Sequence, residues 1–270
     1  MNIIFYIIVF ILGSAVGSFL SVLLFRTKKN LKGIVWGRSK CPFCKHKLKT
    51  KDLIPIFSNI FLGGKCGYCK HKIPTHYLMI EIFTAALFLV TFLIYPFVSI
   101  SPIALTVNFS VSFLLYFLFY AVIISFLMLI AFYDYLYQEI PDKFSFPLFI
   151  VVLIFTIIRP DITYVNAGLG LIVPLAFFGA QYFISKGKWI GGGDLRLGPI
   201  VGLLLGWPLV LIALIISYVS GSFYGIYVLV KNKFKRNIKI AFGPFIILGT
   251  IITFIYGQLI LDYYFKLLGY

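Results

Sequence analysis

The sequence predicts an all-α polytopic membrane protein with about eight transmembrane helices and a small cytoplasmic zinc-binding loop domain between the first two. Of its 270 residues 61% are hydrophobic, and the mean hydropathy is +1.03, whereas a soluble domain is nearer half apolar. Apolar runs of about 20 residues, long enough to cross a ~30 Å hydrocarbon core, recur along most of the chain. A membrane β-barrel would instead show alternating segments of about 10 residues.

The spans follow these apolar runs in order. The first run has no basic segment before it and exceeds the usual ~7–15 residues of a signal-peptide core, so we interpret it as a retained helix. Residues 195–230 form one apolar stretch, which we divide at Gly206–Pro208, because proline disrupts a helix interior and Gly-Trp-Pro suits a turn at the lipid interface. The predicted spans are 2–25, 77–99, 111–133, 144–158, 167–185, 195–207, 208–230 and 242–262.

The basic residues orient these spans. The net charge is +16, from 24 Lys and Arg against 8 Asp and Glu. If the N-terminus faces outward, every Lys and Arg except Arg159 and Lys266 falls on the cytoplasmic side, as the positive-inside rule requires. Membrane topology therefore accounts for the basicity. The lipid bilayer is the expected partner, and no nucleic acid is predicted.

All four cysteines lie in the one sizeable soluble segment, residues 26–76. They occur in two near-repeats, CPFCKHKL (41–48) and CGYCKHKI (66–73), with the spacing C-x2-C-x21-C-x2-C. Two such turns can direct four thiolates at one tetrahedral Zn²⁺, and a closed site of this kind is structural rather than catalytic. Free or redox thiols are the alternative, although cytosolic thiols stay reduced. His46 and His71 are substitute ligands that a four-cysteine site does not need. The predicted zinc ligands are Cys41, Cys44, Cys66 and Cys69.

The acidic residues of so apolar a chain are candidates for function, because ionisable groups within a membrane are costly. Glu81 lies just inside the second span and is either functional or an interfacial partner of a lysine. Asp142 follows Pro141 and is expected to cap the fourth helix, and Glu139 is expected to be a solvated turn residue. Asp52, Asp161 and Asp262 are expected in solvent.

Asp134 and Asp194 have no comparable structural explanation. Both lie at the cytoplasmic ends of spans, where helix packing can bring them together. Three glycines, 191–193, precede Asp194 and predict a flexible backbone that permits close approach. Two neighbouring carboxylates at a partly dry site share a proton, so one can activate water while the other protonates a peptide group. A proton relay or a helix–helix hydrogen bond in a transporter is the alternative.

Seven motifs spread over nearly the whole chain occur together: GSFLSVLLFR (17–26), the paired Cys-x-x-Cys loop, IPIFSNIFLGGKC (54–66), HYLMIEIF (76–83), DYLYQEIPD (134–142), GGGDLRLG (191–198) and FGPFIILG (242–249). In this combination the sequence resembles the type IV prepilin peptidases, the leader peptidases and N-methyltransferases of bacterial pili and type II secretion. Ser21, Arg196 and the His76-Tyr77 pair depart from the family's usual residues.

This resemblance implies that Asp134 and Asp194 are catalytic aspartates, supported by Gly191 and Gly193 of a Gly-x-Gly-Asp motif. It implies cleavage of a basic leader from a prepilin or pseudopilin at the cytoplasmic face of the bacterial inner membrane. It also implies methylation of the new N-terminus with S-adenosylmethionine, whose binding residues the motifs do not locate. Further candidate functional residues are Glu81, Asp142 and Arg26.

Two other functions fit part of the pattern. A presenilin-like intramembrane aspartyl protease also carries Tyr-Asp and Gly-x-Gly-Asp, but such enzymes cut deeper in the bilayer, lack the cysteine loop and should carry a Pro-Ala-Leu motif. A non-enzymatic transporter or assembly adaptor would use the zinc knuckle for docking. For the leader peptidase we expect a first transmembrane helix (1–25), the zinc-binding loop domain (26–76) and a membrane-embedded peptidase domain (77–270).

Overall fold

A computed structural model describes residues 3–29, 39–41, 43–96, 98–100, 107–232 and 239–268. The predicted helical membrane class is confirmed over this part of the chain. Its helices and strands are α1 (Ile3–Lys28), a 3-10 helix (Thr50–Leu53), α2 (Phe57–Phe61), α3 (Thr75–Ile94), β1 (Val98–Ile100), β2 (Val107–Phe109), α4 (Val111–Tyr137), α5 (Asp142–Ile158), α6 (Tyr164–Ser185), α7 (Gly192–Leu205), α8 (Leu209–Lys231) and α9 (Gly243–Leu267). Five basic residues counted on the cytoplasmic side, Lys32, Arg38, Lys233, Lys235 and Arg236, lie outside the described residues.

The helices match the eight predicted spans in order. Within the described ranges, six helices are long and apolar enough to cross a membrane: α1, α3, α4, α6, α8 and α9. The other two, α5 and α7, have 17 and 14 residues, so the count of eight spans stays a prediction.

The second predicted span is too long at its C-terminal end. Helix α3 ends at Ile94, not at residue 99, because Pro96 has no N–H to donate and disfavours the helical conformation of the residue before it. The chain then forms a short antiparallel pair, in which Val98 lies opposite Phe109. Three-residue strands carry too little sequence pattern to be recognised in advance.

The chain divides into two compact units within α4, at residues 129 and 130. This is a structural division. The functional division at residues 25 and 76 stays a prediction.

In the first unit, α1 packs closely on α3. A Cβ on Gly13 would lie 2.8 Å from the Cα of Ala85, and one on Gly17 would lie 2.7 Å from the Cα of Glu81. These distances are shorter than van der Waals contact, so only glycine allows the two backbones to come this close. The close packing places the C-terminal half of α1 directly beside Glu81.

In the second unit, α7 is held between α6 and α5. A Cβ on Gly202 would lie 1.8 Å from the carbonyl oxygen of Gly170 in α6. On the other side, the buried Arg159 at the end of α5 donates to the carbonyl oxygen of Leu204 at 2.6 Å. These contacts fix the helix that carries Asp194.

The predicted break between α7 and α8 is confirmed. Helix α7 ends at Leu205, and Gly206 has a φ of +74°, which L side chains rarely adopt. Helix α8 then begins at Leu209, directly after Pro208.

Candidate active site and metal centre

Asp134 lies three residues from the end of α4 and is 5% exposed. Its Oδ2 atom accepts a hydrogen bond from the backbone N–H of Gly243 at 2.9 Å. Gly243 is the first residue of α9, where backbone N–H groups have no partner within the helix and the helix dipole favours a negative charge. A Cβ on Gly243 would lie 2.7 Å from the same oxygen, so glycine is needed for the carboxylate to fit.

Asp194 is the third residue of α7 and is 7% exposed. Its Oδ2 atom accepts the backbone N–H of Gly191 at 3.2 Å, as the third helical residue does in a capping box. This interaction is a structural explanation for Asp194 that the sequence reasoning missed. The hydrogen bond from Gly191 holds the Asp194 carboxylate in place by its Oδ2 atom.

The expectation of a flexible glycine segment before Asp194 is wrong. Gly191 is the extended N-cap of α7, with a φ of −76°, and Gly192 and Gly193 already belong to the helix. The expected close approach is found at Gly193, where a Cβ would lie 2.7 Å from the Cβ of Ile140. The motif therefore serves helix packing, and it fixes Asp194 rather than loosening it.

Ile140 connects the two aspartates spatially. It packs against Gly193, the neighbour of Asp194, and its Cδ1 would lie 3.3 Å from a Cβ on Gly243, the donor to Asp134. The two carboxylates are close enough to interact electrostatically. The structure thus brings together the two residues that the sequence placed 60 positions apart.

The expectation that Asp142 caps the fourth helix is wrong. Pro141 occupies the N-cap position, and Asp142 is the first residue of α5. The Asp142 carboxylate instead forms an exposed ion pair with Arg196 on α7. Arg196 is only two residues from Asp194, but side chains two positions apart on a helix point to different faces. Its guanidinium group therefore pairs with Asp142 and not with Asp194.

The four predicted metal ligands come together in the first unit. The Sγ atoms of Cys41, Cys44, Cys66 and Cys69 all lie within 4.8 Å of one another, and those of Cys41 and Cys69 are 3.9 Å apart. Zn–S bonds of ~2.3 Å in a tetrahedron imply sulfur separations of roughly 3.8 Å. The set can therefore hold one metal ion, and zinc suits four thiolates.

The two cysteine knuckles fold alike. In the first, Cys41 N–H donates to the His46 carbonyl at 3.0 Å; in the second, Cys66 N–H donates to the His71 carbonyl at 2.9 Å. Each histidine ring packs on the aromatic residue of the other knuckle. His71 meets Phe43 with centroids 3.4 Å apart, and His46 meets Tyr68 at 3.8 Å. The cluster of possible ligands contains only the cysteines among the described residues.

Asp52 connects the second knuckle to the segment between the knuckles. Its Oδ2 accepts the backbone N–H of Lys49 at 3.0 Å and the hydroxyl of Tyr68 at 2.9 Å. The hydrogen bond from Lys49 is the main cause that lowers the pKa of the Asp52 carboxyl below its ordinary value. Asp52 thus stays ionised and stabilises the loop.

Glu81 is buried on α3, and its Oε2 accepts the backbone N–H of Ile56 at 2.7 Å. The expected alternative, pairing with an interfacial lysine, is not what these contacts show. Arg26, in the last turn of α1, lines the same cavity as Glu81. Neither residue belongs to the unit that holds the two aspartates.

Sequence reasoning missed the roles of Gly243 and Ile140. The Gly-Pro pair at 243–244 was a signal for a helix start, but the partner of its first N–H lies 109 positions away in the chain. No signal in the sequence around Ile140 indicates that its side chain packs against both Gly193 and Gly243.

The fold and these two sites define a class: a multi-span helical membrane protein with two buried, interacting aspartates and a four-cysteine centre. Two family models match it. Residues 11–95 match the bacterial peptidase A24 N-terminal domain, and residues 121–226 match the type IV leader peptidase family.

Curated relatives match almost end to end. A prepilin leader peptidase/N-methyltransferase of Bacillus subtilis (strain 168) is 30% identical, over 96% of this chain and 98% of the relative. Two proteins with the same description are also similar. The one from Legionella pneumophila is 25% identical, over 96% of this chain and 94% of the relative. The one from Vibrio cholerae is 24% identical, over 92% of this chain and 96% of the relative. No solved structure gives a significant match. The chain belongs to the prepilin leader peptidase/N-methyltransferase family.

Proposed function

We propose that this protein is a membrane-embedded aspartic endopeptidase. It removes the basic leader from type IV prepilins or pseudopilins at the cytoplasmic face of the bacterial inner membrane. The observation that carries the proposal is the pair of buried carboxylates, Asp134 and Asp194, each held through Oδ2 by the first N–H groups of a helix. Each carboxylate keeps Oδ1 for water or substrate.

The chemistry follows from two interacting acids at a dry site. One proton is shared, because two adjacent carboxylates do not both ionise readily. The ionised aspartate removes a proton from water as the water attacks the scissile carbonyl. The protonated aspartate donates its proton to the carbonyl oxygen. When the tetrahedral intermediate collapses, the aspartate that took the proton from water gives it to the leaving amine, and its partner recovers a proton from a hydroxyl of the intermediate. The fixed Oδ2 contacts keep both groups oriented before substrate arrives.

The depth of the site supports leader cleavage over cleavage within a helix. Asp134 lies three residues from the end of α4, and Asp194 is the third residue of α7. At ~1.5 Å per residue, both are about 3–5 Å from a helix end. A basic leader then lies beside the exposed acids of this end, Glu139 and Asp142, while the hydrophobic pilin helix remains in lipid. A presenilin-like enzyme needs its aspartates deeper.

We also propose that the protein methylates the new N-terminal amine, since the relatives' description includes N-methyltransferase activity. S-adenosylmethionine supplies the methyl group when bound, and transfer to an amine leaves S-adenosylhomocysteine and a proton. The zinc-binding loop domain, residues 26–76, is the proposed support for this activity, whereas residues 77–270 include the peptidase site.

We expect one zinc ion per purified chain, and a Cys41→Ser/Cys66→Ser variant that retains less than a tenth of it. In a small closed site, the free energy of metal binding contributes directly to the free energy of folding. Backbone amides of residues 39–73 should therefore exchange hydrogen at least 100-fold faster in this variant. Metal content by mass spectrometry and hydrogen exchange check both points. The exposed control Lys51→Ser should retain metal. Full metal content in the double cysteine variant would contradict the assignment.

Co-expression with a prepilin tests the proposed function. We expect the prepilin to lose its leader, seen as a shift on a denaturing gel, only when this protein is present. A transporter or adaptor would leave the prepilin at full length. Uncleaved prepilin in the presence of correctly inserted protein would rule out the peptidase.

A further inference from the structure

A cavity of about 480 Å³ lies in the first unit, between the cytoplasmic half of α1, the start of α3 and the cysteine loop. This volume is within the ~300–1,000 Å³ range typical of small-molecule sites. Its walls include Cys41 and Cys66, so the metal-binding knuckles also shape the cavity. Nothing in the proposed peptidase mechanism uses it.

The walls combine three kinds of chemistry. Carboxylates are present in Glu81 and Asp52, cations in Arg26 and Lys72, and aromatic rings in Phe25 and Tyr77. A ligand that matches this set carries a positive centre, a carboxylate and a planar ring. S-adenosylmethionine has all three, in its sulfonium and amino groups, its carboxylate and its adenine.

Glu81 is the most informative wall residue. Its carboxylate is buried, yet its partners in the described part of the chain are neutral: the N–H of Ile56 at 2.7 Å and the hydroxyl of Ser18. A buried charge without an opposite charge is costly. A cationic ligand in the cavity supplies that opposite charge.

The backbone around Ile56 supports a binding role. Ile56 has a φ of +63°, a left-handed conformation that is a clear outlier for a β-branched residue. The hydrogen bond to Glu81 accompanies this conformation, at the start of α2. Strain of this kind is concentrated at ligand clamps and active sites. Glu81 thus links the cavity wall from α3 to the loop that covers it.

We propose that this cavity binds S-adenosylmethionine, with Glu81 providing the negative charge for the ligand's cationic part. Phe25 and Tyr77 are the aromatic wall residues proposed to contact the adenine, and Arg26 is the cationic wall residue proposed to contact the carboxylate. The inference rests on the proposed methyltransferase function and gives it a location. It also explains why the cysteine loop lies against α1 and α3.

Direct binding tests this location without any catalysis. S-adenosylmethionine is titrated by calorimetry into the full-length protein in detergent, with zinc bound. We expect saturable binding to the natural protein. In Glu81→Gln the affinity should fall about 10- to 100-fold, as expected for the loss of a charged partner. The glutamine oxygen can still accept the Ile56 N–H, so the loop should stay in place. Wild-type affinity in Glu81→Gln would overturn the proposal.

Two controls keep the result interpretable. Asp161→Asn makes the equivalent change at an exposed acid of the second unit and should bind as the natural protein does. Zinc content should remain at one ion per chain in Glu81→Gln, which shows that the loop is folded. If the natural protein cleaves prepilin but does not bind S-adenosylmethionine, this inference fails and the peptidase stands. If it binds the ligand through Glu81 but cleaves nothing, the peptidase fails and the cavity assignment stands.

Discussion

Asp194→Asn should remove leader cleavage almost completely, with a loss in kcat/KM of at least about 1,000-fold, because general acid–base catalysis contributes ~10²–10⁴. Asparagine has nearly the same shape and retains an oxygen to accept the Gly191 N–H, so α7 should begin as before. What it lacks is a titratable proton. Initial rates of leader removal by purified protein in proteoliposomes measure the effect.

Asp134→Asn should lose activity to the same extent, and the double variant should be little worse than either single one, since residues that act as a unit are not additive. Asp161→Asn is the matched control, because Asp161 is exposed in the turn before α6. Cleavage by Asp194→Asn at a rate near that of the control would mean that Asp194 only caps its helix.

Gly193→Ala should lower cleavage about 100-fold, although it adds one methyl group. The new Cβ would lie 2.7 Å from the Cβ of Ile140, which is a buried branch point and not the movable end of a side chain. The resulting shift moves α7, and with it Asp194, relative to Asp134. A displacement of ~1 Å at a catalytic group costs about 10²-fold in rate. The same proteoliposome assay measures it.

Gly192→Ala is the internal control for this prediction. Gly192 precedes Gly193 in the same helical turn, but a Cβ there meets nothing within 4 Å. Alanine is also the better helix former, so this variant should cleave normally. Equal activity of the two alanine variants would show that the contact with Ile140 does not position the aspartate.

The helical framework was predictable because the membrane simplifies it. A ~30 Å apolar core requires long apolar helices, and Gly206–Pro208 was a strong enough signal to divide α7 from α8. The end of α3 was not placed correctly, since the apolar run continues past Pro96 into a strand. Hydropathy indicates which residues can be buried in lipid, but it does not distinguish a helix from a strand.

The candidate site was predictable in its residues but not in its contacts. Asp134 and Asp194 were conspicuous because carboxylates are rare in this chain. The capping role of Asp194 and the pairing of Asp142 with Arg196 depend on where α7 begins, and helix boundaries are the least certain part of a sequence prediction. The N–H of Gly243 depends on tertiary packing over 109 positions. The sequence pattern around a residue does not indicate a partner that lies so far away in the chain.

The cysteine loop shows the same limit. The repeated Cys-x-x-Cys-Lys-His-Lys motif was sufficient to predict a four-sulfur cluster. It did not reveal that each histidine packs on the ring of the opposite knuckle, as His46 does on Tyr68. Nor did it reveal a cavity beside the knuckles, because a cavity is formed by three segments that meet only in the folded chain.

Mass spectrometry of both products from one reaction tests the central claim most directly. Purified protein is incubated with a prepilin and S-adenosylmethionine, beside the Asp134→Asn/Asp194→Asn variant. We expect the natural protein to release a leader with a free carboxyl end and a mature pilin with a methylated N-terminus, and the variant to release neither. The same two cleavage products from the variant, or intact prepilin with the natural protein, would contradict the assignment of these aspartates to peptide hydrolysis.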